Sequence, residues 1–428
     1  MEGYSESYHQ FAQALLSRIN DERGVLMDVL DLTRELVAID SQNPGPQESK
    51  IVEFIEAWAR AQGFETEVLE PVAGRPNLLV TVDRGGDGHL GLSGHLDTKP
   101  VGDALSQWNT PPLELTVIGD DAFGLGSTDM KGGVAAMMLS LEDFAAGRVA
   151  HAAEPAGRVS LVLTADEEQG SDAGAKILAS EGLLPDIDGI VIGEPSGIGD
   201  PWEAVYLVSR GICCFHVDVF TRQGHSGLSH TLGRNATLYA ADLLHAFETF
   251  IPSVDTPGEV ECAPTVNPGM FIGGGVSFGT WPGQCRVSME VRLVPGMTKQ
   301  TLHRELEDLV RNNLPPDVGF RISYLDSGQG WMPAVELSPT DLVARAAQAS
   351  AEAILGRPVP FAAFPGGTDA TYFMGSGGVP TIASLGPGWI SLAHGANEKV
   401  GVEQLAQAQK LYGALIEEYF TLRRQESN

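Results

Sequence analysis

The stretch VSLVLTADEEQG, residues 159–170, decides the fold. Its apolar run 159–163 has the length and β-branched content of a buried strand, and it stops at a polar segment that holds Glu167 and Glu168 side by side. Adjacent carboxylates repel each other unless a positive charge lies between them. Because neighbours in a continuing strand point to opposite faces, both glutamates can serve one site only if the strand ends at about Thr164 and the chain turns.

Strands and helices alternate on both sides of this stretch. Apolar residues at helical spacing predict helices, and short runs rich in β-branched residues predict strands. The predicted helices are 25–37, 49–61, 130–144 and 173–180, and the predicted strands are 66–69, 77–82, 89–92, 159–163 and 189–192. This alternation predicts an α/β domain in which helices flank a mostly parallel central sheet.

The pattern changes after Pro201. Strands are predicted at 206–220, 265–272, 285–293 and 318–324, and helices at 234–250 and 298–312. The order β-α-β-β-α-β is that of a ferredoxin-like α+β domain. Helices return at 339–353 and 402–420. We therefore expect residues 204–327 to form a domain inserted into an α/β domain built from 1–203 and 328–428.

Composition limits the partners. The 428 residues are 43% hydrophobic and 19% charged, which is ordinary for a chain that buries a large core. There are 27 Lys plus Arg against 56 Asp plus Glu, so the net charge of -29 argues against binding to nucleic acid or anionic membranes. The N-terminal residues lack the pattern of a secretory leader, and we expect a cytoplasmic protein.

Polar residues end several of the predicted strands and loops. His95 and Asp97 occur in GHLDTKP, Asp129 in GLGSTDMKGG, Glu194 in GIVIGEPSG and His394 in LAHGANEKV. Each has a structural explanation when it is taken alone: a turn, a helix N-cap or a satisfied histidine. In an open α/β sheet, however, the carboxyl ends of the strands converge on one site.

Together these segments offer imidazoles and carboxylates without thiolates, a donor set that suits zinc, cobalt or manganese. Two cations about 3.5 to 4 Å apart, bridged by one carboxylate, are common in hydrolases. Such a pair would also remove the repulsion between Glu167 and Glu168.

The set GHLDTKP, GLGSTDMKGG, TADEEQG, IGEPSG, PGGTDA and AHGANEKV resembles the M20 metallopeptidases, a family that includes acetylornithine deacetylase, succinyl-diaminopimelate desuccinylase, aminoacylase and glutamate carboxypeptidase. The resemblance covers nearly the whole chain from about residue 25. It implies a zinc-peptidase-like catalytic domain and an inserted lid that also forms a homodimer interface.

The resemblance also implies a role for each residue. His95 and Glu194 would bind one cation, Glu168 and His394 the other, and Asp129 would bridge them. Asp97 matches the aspartate that orients the metal-binding histidine, and Glu167 matches the general base. In the lid, His225 of RQGHSG matches a histidine that stabilises the oxyanion, often in the partner subunit's site, and Arg292 of EVRLVPG matches an arginine that holds a substrate carboxylate.

Two positions depart from the family pattern. Gly279 stands where an asparagine usually precedes the lid proline by three residues, and Lys99 stands where many members have an apolar residue. The first departure removes a usual polar contact to the substrate.

The expected reaction is hydrolysis of the amide bond in an N-acyl amino acid or a related small amide. A hydroxide bridging two divalent cations would attack the carbonyl, and Glu167 would act as general base. The expected metal is zinc, with cobalt or manganese as alternatives. A dipeptidase or carboxypeptidase of the same family is the alternative enzyme, and a binding homologue without catalysis is the alternative from another class.

Overall fold

A computed structural model describes residues 27–44, 48–149, 157–326 and 328–427. The first two residues of the predicted helix 25–37, and the N-terminal segment on which the cytoplasmic expectation rests, lie outside these ranges. The chain forms two compact units. The first runs to Leu207 and includes Leu337–Ala362 and the residues from Thr368 onward, and the second comprises Val208–Glu336 and Ala363–Gly367.

The described helices are numbered in chain order: α1 (Val29–Ala38), α2 (Glu48–Ala61), α3 (Gly132–Ala145), α4 (Ala175–Ser180), α5 (Ser229–Leu232), α6 (Ala236–Glu248), α7 (Lys299–Asn313), α8 (Leu342–Leu355), α9 (Ala370–Gly375) and α10 (Val402–Glu426). Among them, none combines the length and apolar character that crossing a bilayer requires.

The described strands are β1 (Glu65–Val72), β2 (Arg75–Asp83), β3 (His89–His95), β4 (Thr116–Ile118), β5 (Asp121–Phe123), β6 (Arg158–Thr164), β7 (Gly189–Ile192), β8 (Pro195–Gly197), β9 (Val205–Ser209), β10 (Gly211–Phe220), β11 (Gly224–His225), β12 (Thr265–Gly274), β13 (Thr280–Trp281), β14 (Gln284–Leu293), β15 (Gly319–Tyr324), β16 (Val335–Glu336), β17 (Phe361–Ala363), β18 (Thr381–Ile382), β19 (Gly386–Trp389) and β20 (Lys399–Gly401).

A six-stranded sheet organises the first unit, in the order β1-β2-β6-β3-β7-β18. The neighbours β6, β3, β7 and β18 run parallel, whereas β1 pairs antiparallel with β2 and β2 with β6. The predicted mostly parallel central sheet is confirmed. Every residue of β3 is buried, as expected for a central strand covered on both faces.

Helices pack on this sheet, and the packing removes their apolar faces from water. The side chains of α3 are almost all buried, and α10 buries an aromatic and aliphatic stripe that ends in Tyr419 and Phe420. Local capping fixes the helix starts: Asp28 accepts a hydrogen bond from the Asp31 N–H at α1, and Asp341 accepts one from the Val343 N–H at α8.

The second unit has a four-stranded antiparallel sheet in the order β12-β14-β10-β15. With α6 and α7, the chain order is β10-α6-β12-β14-α7-β15, so the predicted ferredoxin-like arrangement is confirmed. Alternate residues of β10 and β14, among them Phe215 and Val287, enter one core with Leu243 of α6 and Leu306 of α7. This compact unit comprises Val208–Glu336 and Ala363–Gly367. The division into separate domains stays a prediction.

The single strand predicted at 206–220 is wrong. The chain forms β9 and β10 with Arg210 between them, and the Arg210 N–H donates to the Gly366 carbonyl outside both ladders. Next to the break, Gly211 lies against the Met332 carbonyl oxygen, which a Cβ at this position would approach to 2.2 Å. The glycine therefore allows a close backbone approach.

Candidate metal centre

The ends of three parallel strands position the centre. His95 is the last residue of β3, Glu167 follows the end of β6 by three residues, and Glu194 follows the end of β7 by two. Since β6, β3 and β7 are parallel neighbours, their carboxyl ends lie at one edge of the sheet. Asp129 lies in an irregular turn before α3, and His394 in the loop that precedes β20.

The adjacent glutamates lie on a turn, as the sequence predicts. Strand β6 ends at Thr164, Asp166 has a left-handed backbone with φ of 66°, and a 3-10 turn spans Glu167–Gln169. Gly170 closes the turn with φ of 109°, a conformation that favours glycine. Because the chain turns here, the side chains of Glu167 and Glu168 are not placed on opposite faces of the sheet, as they would be in a continuing strand.

Asp129 lies between the other predicted ligands. Its Oδ1 is 2.9 Å from His95 Nε2, and its Oδ2 is 3.1 Å from His394 Nε2. Glu194 Oε1 lies 3.4 Å from His95 Nε2, and Glu168 Oε2 lies 3.0 Å from His394 Nε2. We call His95 and Glu194 the first position, and Glu168 and His394 the second position. The Asp129 carboxylate faces both.

The donor set fits divalent cations. In two groups of three, one donor atom per residue lies within 4.8 Å of the others; the groups are His95, Glu167 and Glu194, and Asp129, Glu168 and His394. All donors are imidazole nitrogens or carboxylate oxygens, which suit zinc, cobalt or manganese. The four cysteines all lie in the second unit: Cys213, Cys214, Cys262 and Cys285.

Several ionisable groups of the centre have raised pKa values. Hydrogen bonds to Asp129 and Glu168 raise the pKa of His394 to about 10. Burial, followed by the charge of Asp129, raises the pKa of Glu194 to about 7. Burial also raises the pKa of Glu167 well above its usual range. Protons retained on the imidazoles thus partly neutralise a carboxylate-rich cluster, a task that cations perform in metal centres.

Asp97 contacts both the His95 ring and the glutamate turn. His95 Nδ1 lies 2.9 Å from the backbone carbonyl of Asp97, whereas the Asp97 carboxylate is 3.6 Å from Nδ1, beyond hydrogen-bond distance. The carboxylate instead accepts the N–H groups of Glu167 at 3.1 Å and Glu168 at 3.2 Å, and the Asn43 side-chain amide at 2.8 Å. Asp97 therefore holds the glutamate turn through its side chain and the histidine ring through its backbone.

Behind Asp97 lies a polar network that the sequence analysis missed. Asn43 also donates to Asp166 at 3.0 Å, and Arg75 contacts Asp166 at 3.0 Å. The same guanidinium binds the buried Glu48 through two nitrogens. The network fixes the left-handed residue from which the glutamate turn starts. The sequence signal for this network is that aspartate tolerates the left-handed backbone conformation, which Asp166 adopts.

Glu398 is the second missed residue. This buried carboxylate accepts the backbone N–H groups of Gly126 at 2.9 Å, Thr128 at 2.9 Å and Asp129 at 3.0 Å. It therefore anchors the turn that carries Asp129. Burial, followed by the charge of Asp129, raises the pKa of Glu398 to about 8. AHGANEKV contains this glutamate, but its partners are backbone groups that no side-chain motif reveals.

Asp369 of PGGTDA supports the same edge of the sheet. The buried carboxylate accepts hydrogen bonds from the Thr164 hydroxyl at 2.8 Å and from the Ser171 hydroxyl at 2.6 Å. These two residues bracket the glutamate turn. Lys99 reaches the turn from another direction, with Nζ 3.1 Å from Glu168 Oε2.

His225 and Arg292 lie in the second unit. His225 is exposed at the end of β11, and its Nδ1 accepts the Gly227 N–H at 3.1 Å. In a neutral ring this leaves the proton on Nε2, which can then donate to a ligand. Arg292 Nε donates to Glu290 at 2.7 Å, so its guanidinium is already paired on one side.

Gly279, the departure near the lid proline, supports the His225 segment. Its carbonyl accepts the Ser226 N–H at 2.9 Å, and its φ of 87° lies in the left-handed region. Asparagine is among the residues that tolerate this region, whereas glycine enters it without strain.

Residues 91–418 match the family model described as Peptidase family M20/M25/M40. The chain belongs to the M20 peptidase family. It is therefore a metallohydrolase of this family. A probable succinyl-diaminopimelate desuccinylase of Staphylococcus aureus strain MSSA476 is 25% identical to this M20 chain over 395 residues, which cover 87% of the chain and 92% of the relative.

Solved structures share the fold. An M20 family metallo-carboxypeptidase from Sulfolobus solfataricus superimposes with a TM-score of 0.71 at 17% identity, covering 92% of this chain and 99% of that one. A dinuclear metal-binding peptidase of the M20 family from Bacillus subtilis superimposes with a TM-score of 0.62 at 16% identity, covering 91% and 96%.

Proposed function

We propose that this M20 enzyme binds two divalent cations and hydrolyses the amide bond of an N-acyl amino acid or a related small amide. The observation that carries the proposal is the position of Asp129, with one carboxylate oxygen facing His95 and the other facing His394. In this reading Asp129 bridges the two positions, and Zn²⁺ is the expected ion. Cations held there would supply Lewis acidity, which polarises an amide carbonyl and eases the deprotonation of water.

Glu167 is the proposed proton carrier. Its carboxylate lies beside the first position, and its backbone is fixed by the Asp97 carboxylate. Glu167 would accept a proton from the attacking water and deliver it to the leaving amine. Burial raises the pKa of Glu167, and a higher pKa makes its carboxylate a stronger base toward the attacking water.

His225 and Arg292 are proposed to act on the substrate. The ring of His225 can donate through Nε2 to the oxyanion that develops on the carbonyl, a contact worth about 3 to 4 kcal/mol in comparable sites. Arg292 would hold a substrate carboxylate through the N–H groups that do not bind Glu290.

A dipeptidase or carboxypeptidase is the second candidate, and it is favoured by the fold shared with the Sulfolobus metallo-carboxypeptidase. The desuccinylase relative favours the deacylase. A screen of metal-loaded enzyme against N-acetyl amino acids, N-succinyl amino acids and dipeptides separates them. Turnover of the acyl compounds alone supports the deacylase, whereas turnover of dipeptides alone contradicts it.

A binding homologue without catalysis predicts a different outcome of the same screen. It would bind metal and show no turnover of any substrate. The matched control is Glu167→Gln, because a true activity must vanish in this variant while a contaminating hydrolase would be unaffected.

We further propose a homodimer formed through the second unit. Strand β12 lies at an edge of the described four-stranded sheet, and Phe271 on it is 75% exposed. Met270, Ile272, Val276 and Phe278 in and after this strand are also exposed. An apolar edge strand of this kind pairs readily with a second copy of itself.

Sedimentation of Phe271→Asp tests the dimer. The variant should be monomeric, and Ile118→Asp, an exposed apolar position in the first unit, should leave the dimer intact. A wild-type enzyme that is monomeric and fully active would contradict the proposal. The cytoplasmic location stays a prediction.

A further inference from the structure

Lys99 contacts Glu168 at three points. Its Nζ lies 3.1 Å from Glu168 Oε2 and donates closely to the Glu168 carbonyl, while its backbone N–H donates to Oε1 at 3.2 Å. The same Oε2 lies 3.0 Å from His394 Nε2. The ammonium group therefore shares an oxygen with the side chains that form the second position.

The segment that carries Lys99 is held in place from the N-terminal part of the chain. The Thr98 N–H donates to the Ser41 carbonyl, and the Thr98 carbonyl accepts the Asn43 N–H at 2.8 Å. Beyond the lysine, the Val101 N–H donates to the Gln42 side chain at 2.7 Å. Lys99 thus reaches Glu168 from a fixed backbone, and its side chain is only 30% exposed.

The first position has a different charge environment. Within the described part of the chain, the ion pairs of His95 are with Asp97, Asp129 and Glu194, and that of Glu194 is with His95. Among the described residues, a lysine thus forms an ion pair at the second position and none does so at the first.

A fixed ammonium weakens the binding of a nearby cation in two ways. It repels the ion directly, since like charges a few ångströms apart interact strongly at the moderate dielectric of a protein surface. It also lies 3.1 Å from Glu168 Oε2, the oxygen that faces His394, and would therefore compete with a cation for this carboxylate. Both effects act at the second position.

We propose that Lys99 makes the second position bind its divalent cation more weakly than the first, so that this chain holds one tight and one exchangeable cation. The inference rests on the proposed two-cation function, which it deepens by assigning unequal affinities to the two positions. Lys99 acts here as a positioning residue, through Glu168.

Titration of metal-depleted protein with Zn²⁺ by calorimetry, and with Co²⁺ by visible absorption, tests the inference without an activity measurement. Wild type should show two phases, with the second at least about tenfold weaker. Lys99→Met should strengthen the weaker phase by about tenfold and leave the tighter phase unchanged. Lys99→Arg should resemble wild type, because it keeps the charge.

Three further variants assign the phases and control for charge. Glu168→Ala should abolish the weaker phase and Glu194→Ala the tighter one. Lys176→Met removes a lysine that pairs with the exposed Asp172, and it should leave both phases unchanged. Lys99→Gln, checked by circular dichroism, replaces Lys99→Met if that variant does not fold.

The outcomes are distinct. Equal phases in wild type, or a weaker phase that Lys99→Met leaves unchanged or weakens further, would overturn the inference while the two-cation function stands. Uptake of less than one Zn²⁺ per chain in wild type would instead contradict the proposed function. Loss of the weaker phase in Glu194→Ala would show that the two positions are reversed.

Discussion

Glu398→Gln should weaken metal binding although Glu398 is not a proposed ligand. The carboxylate Oε1 accepts the N–H groups of Thr128 and Asp129, and Oε2 accepts that of Gly126. A glutamine can place its oxygen at Oε1 and keep two of these bonds. Its NH₂ group then faces the Gly126 N–H, so one acceptor is replaced by a donor.

The expected size follows from that single lost bond. A typical hydrogen bond contributes about 0.5 to 1.5 kcal/mol, and a buried N–H left without a partner costs about 1 to 3 kcal/mol. Because the affected turn carries Asp129, whose carboxylate faces His95 and His394, we expect the loss to act on both positions. We expect a fall in Zn²⁺ affinity of about 10- to 100-fold, which is typical when the support of a ligand is removed.

Calorimetric Zn²⁺ titration of metal-depleted protein measures this effect. Glu398→Ala removes all three acceptor contacts and should reduce the affinity more than Glu398→Gln does. Glu403→Gln is the matched control, since the exposed Glu403 contacts only Gln407 in the interactions described for it. Wild-type affinity at both positions in Glu398→Gln would refute the anchoring role of Glu398.

Two further variants test other parts of the molecule. Asp97→Asn should keep two of the three hydrogen bonds of this side chain and lose the one to the Glu167 N–H. We expect a lower kcat with both metals retained. Metal loss equal to that of a ligand variant would contradict the role assigned to the Asp97 side chain. Hydrogen bonds from Arg286 and then Arg321 lower the pKa of the buried Asp218 from 3.8 to about 2. The ionised Asp218 therefore contributes about 1 to 2 kcal/mol to the free energy of unfolding above about pH 4, and this contribution is lost as the pH falls toward about 2. Urea unfolding should therefore show Asp218→Asn less stable than wild type at pH 7, with the difference shrinking below pH 4; a difference that does not depend on pH would contradict the ion-pair account.

The sequence predicts the elements well where one periodicity dominates. Strand 189–192 agrees at both ends, and the antiparallel order of the second unit follows from its β-α-β-β-α-β pattern. The prediction of one strand at 206–220 fails because apolar residues lie on both sides of Arg210, whereas the Arg210 N–H bonds to the distant Gly366 carbonyl instead of to a neighbouring strand. A local pattern carries no information about such a contact.

The candidate ligands were predictable, but their supports were not. Side-chain chemistry and motif order place Asp129 and His394 together, and the structure brings them within 3.1 Å. Glu398 and Asp97 instead act through backbone N–H groups, which every residue possesses, so no residue type marks the partner. Both the backbone carbonyl and the carboxylate of Asp97 lie near the His95 ring, at 2.9 Å and 3.6 Å, so the role of Asp97 in orienting this ring stays a prediction.

The central claim is that Glu168 holds a cation and its neighbour Glu167 moves a proton. Metal content and kcat of Glu167→Gln and Glu168→Ala, each prepared and loaded identically, test it most directly. The account predicts that Glu167→Gln keeps its metal and loses kcat by a factor of at least about 100, the usual contribution of a general base, while Glu168→Ala loses metal. Equal metal loss in the two variants, or a Glu167→Gln enzyme with wild-type kcat, would contradict it.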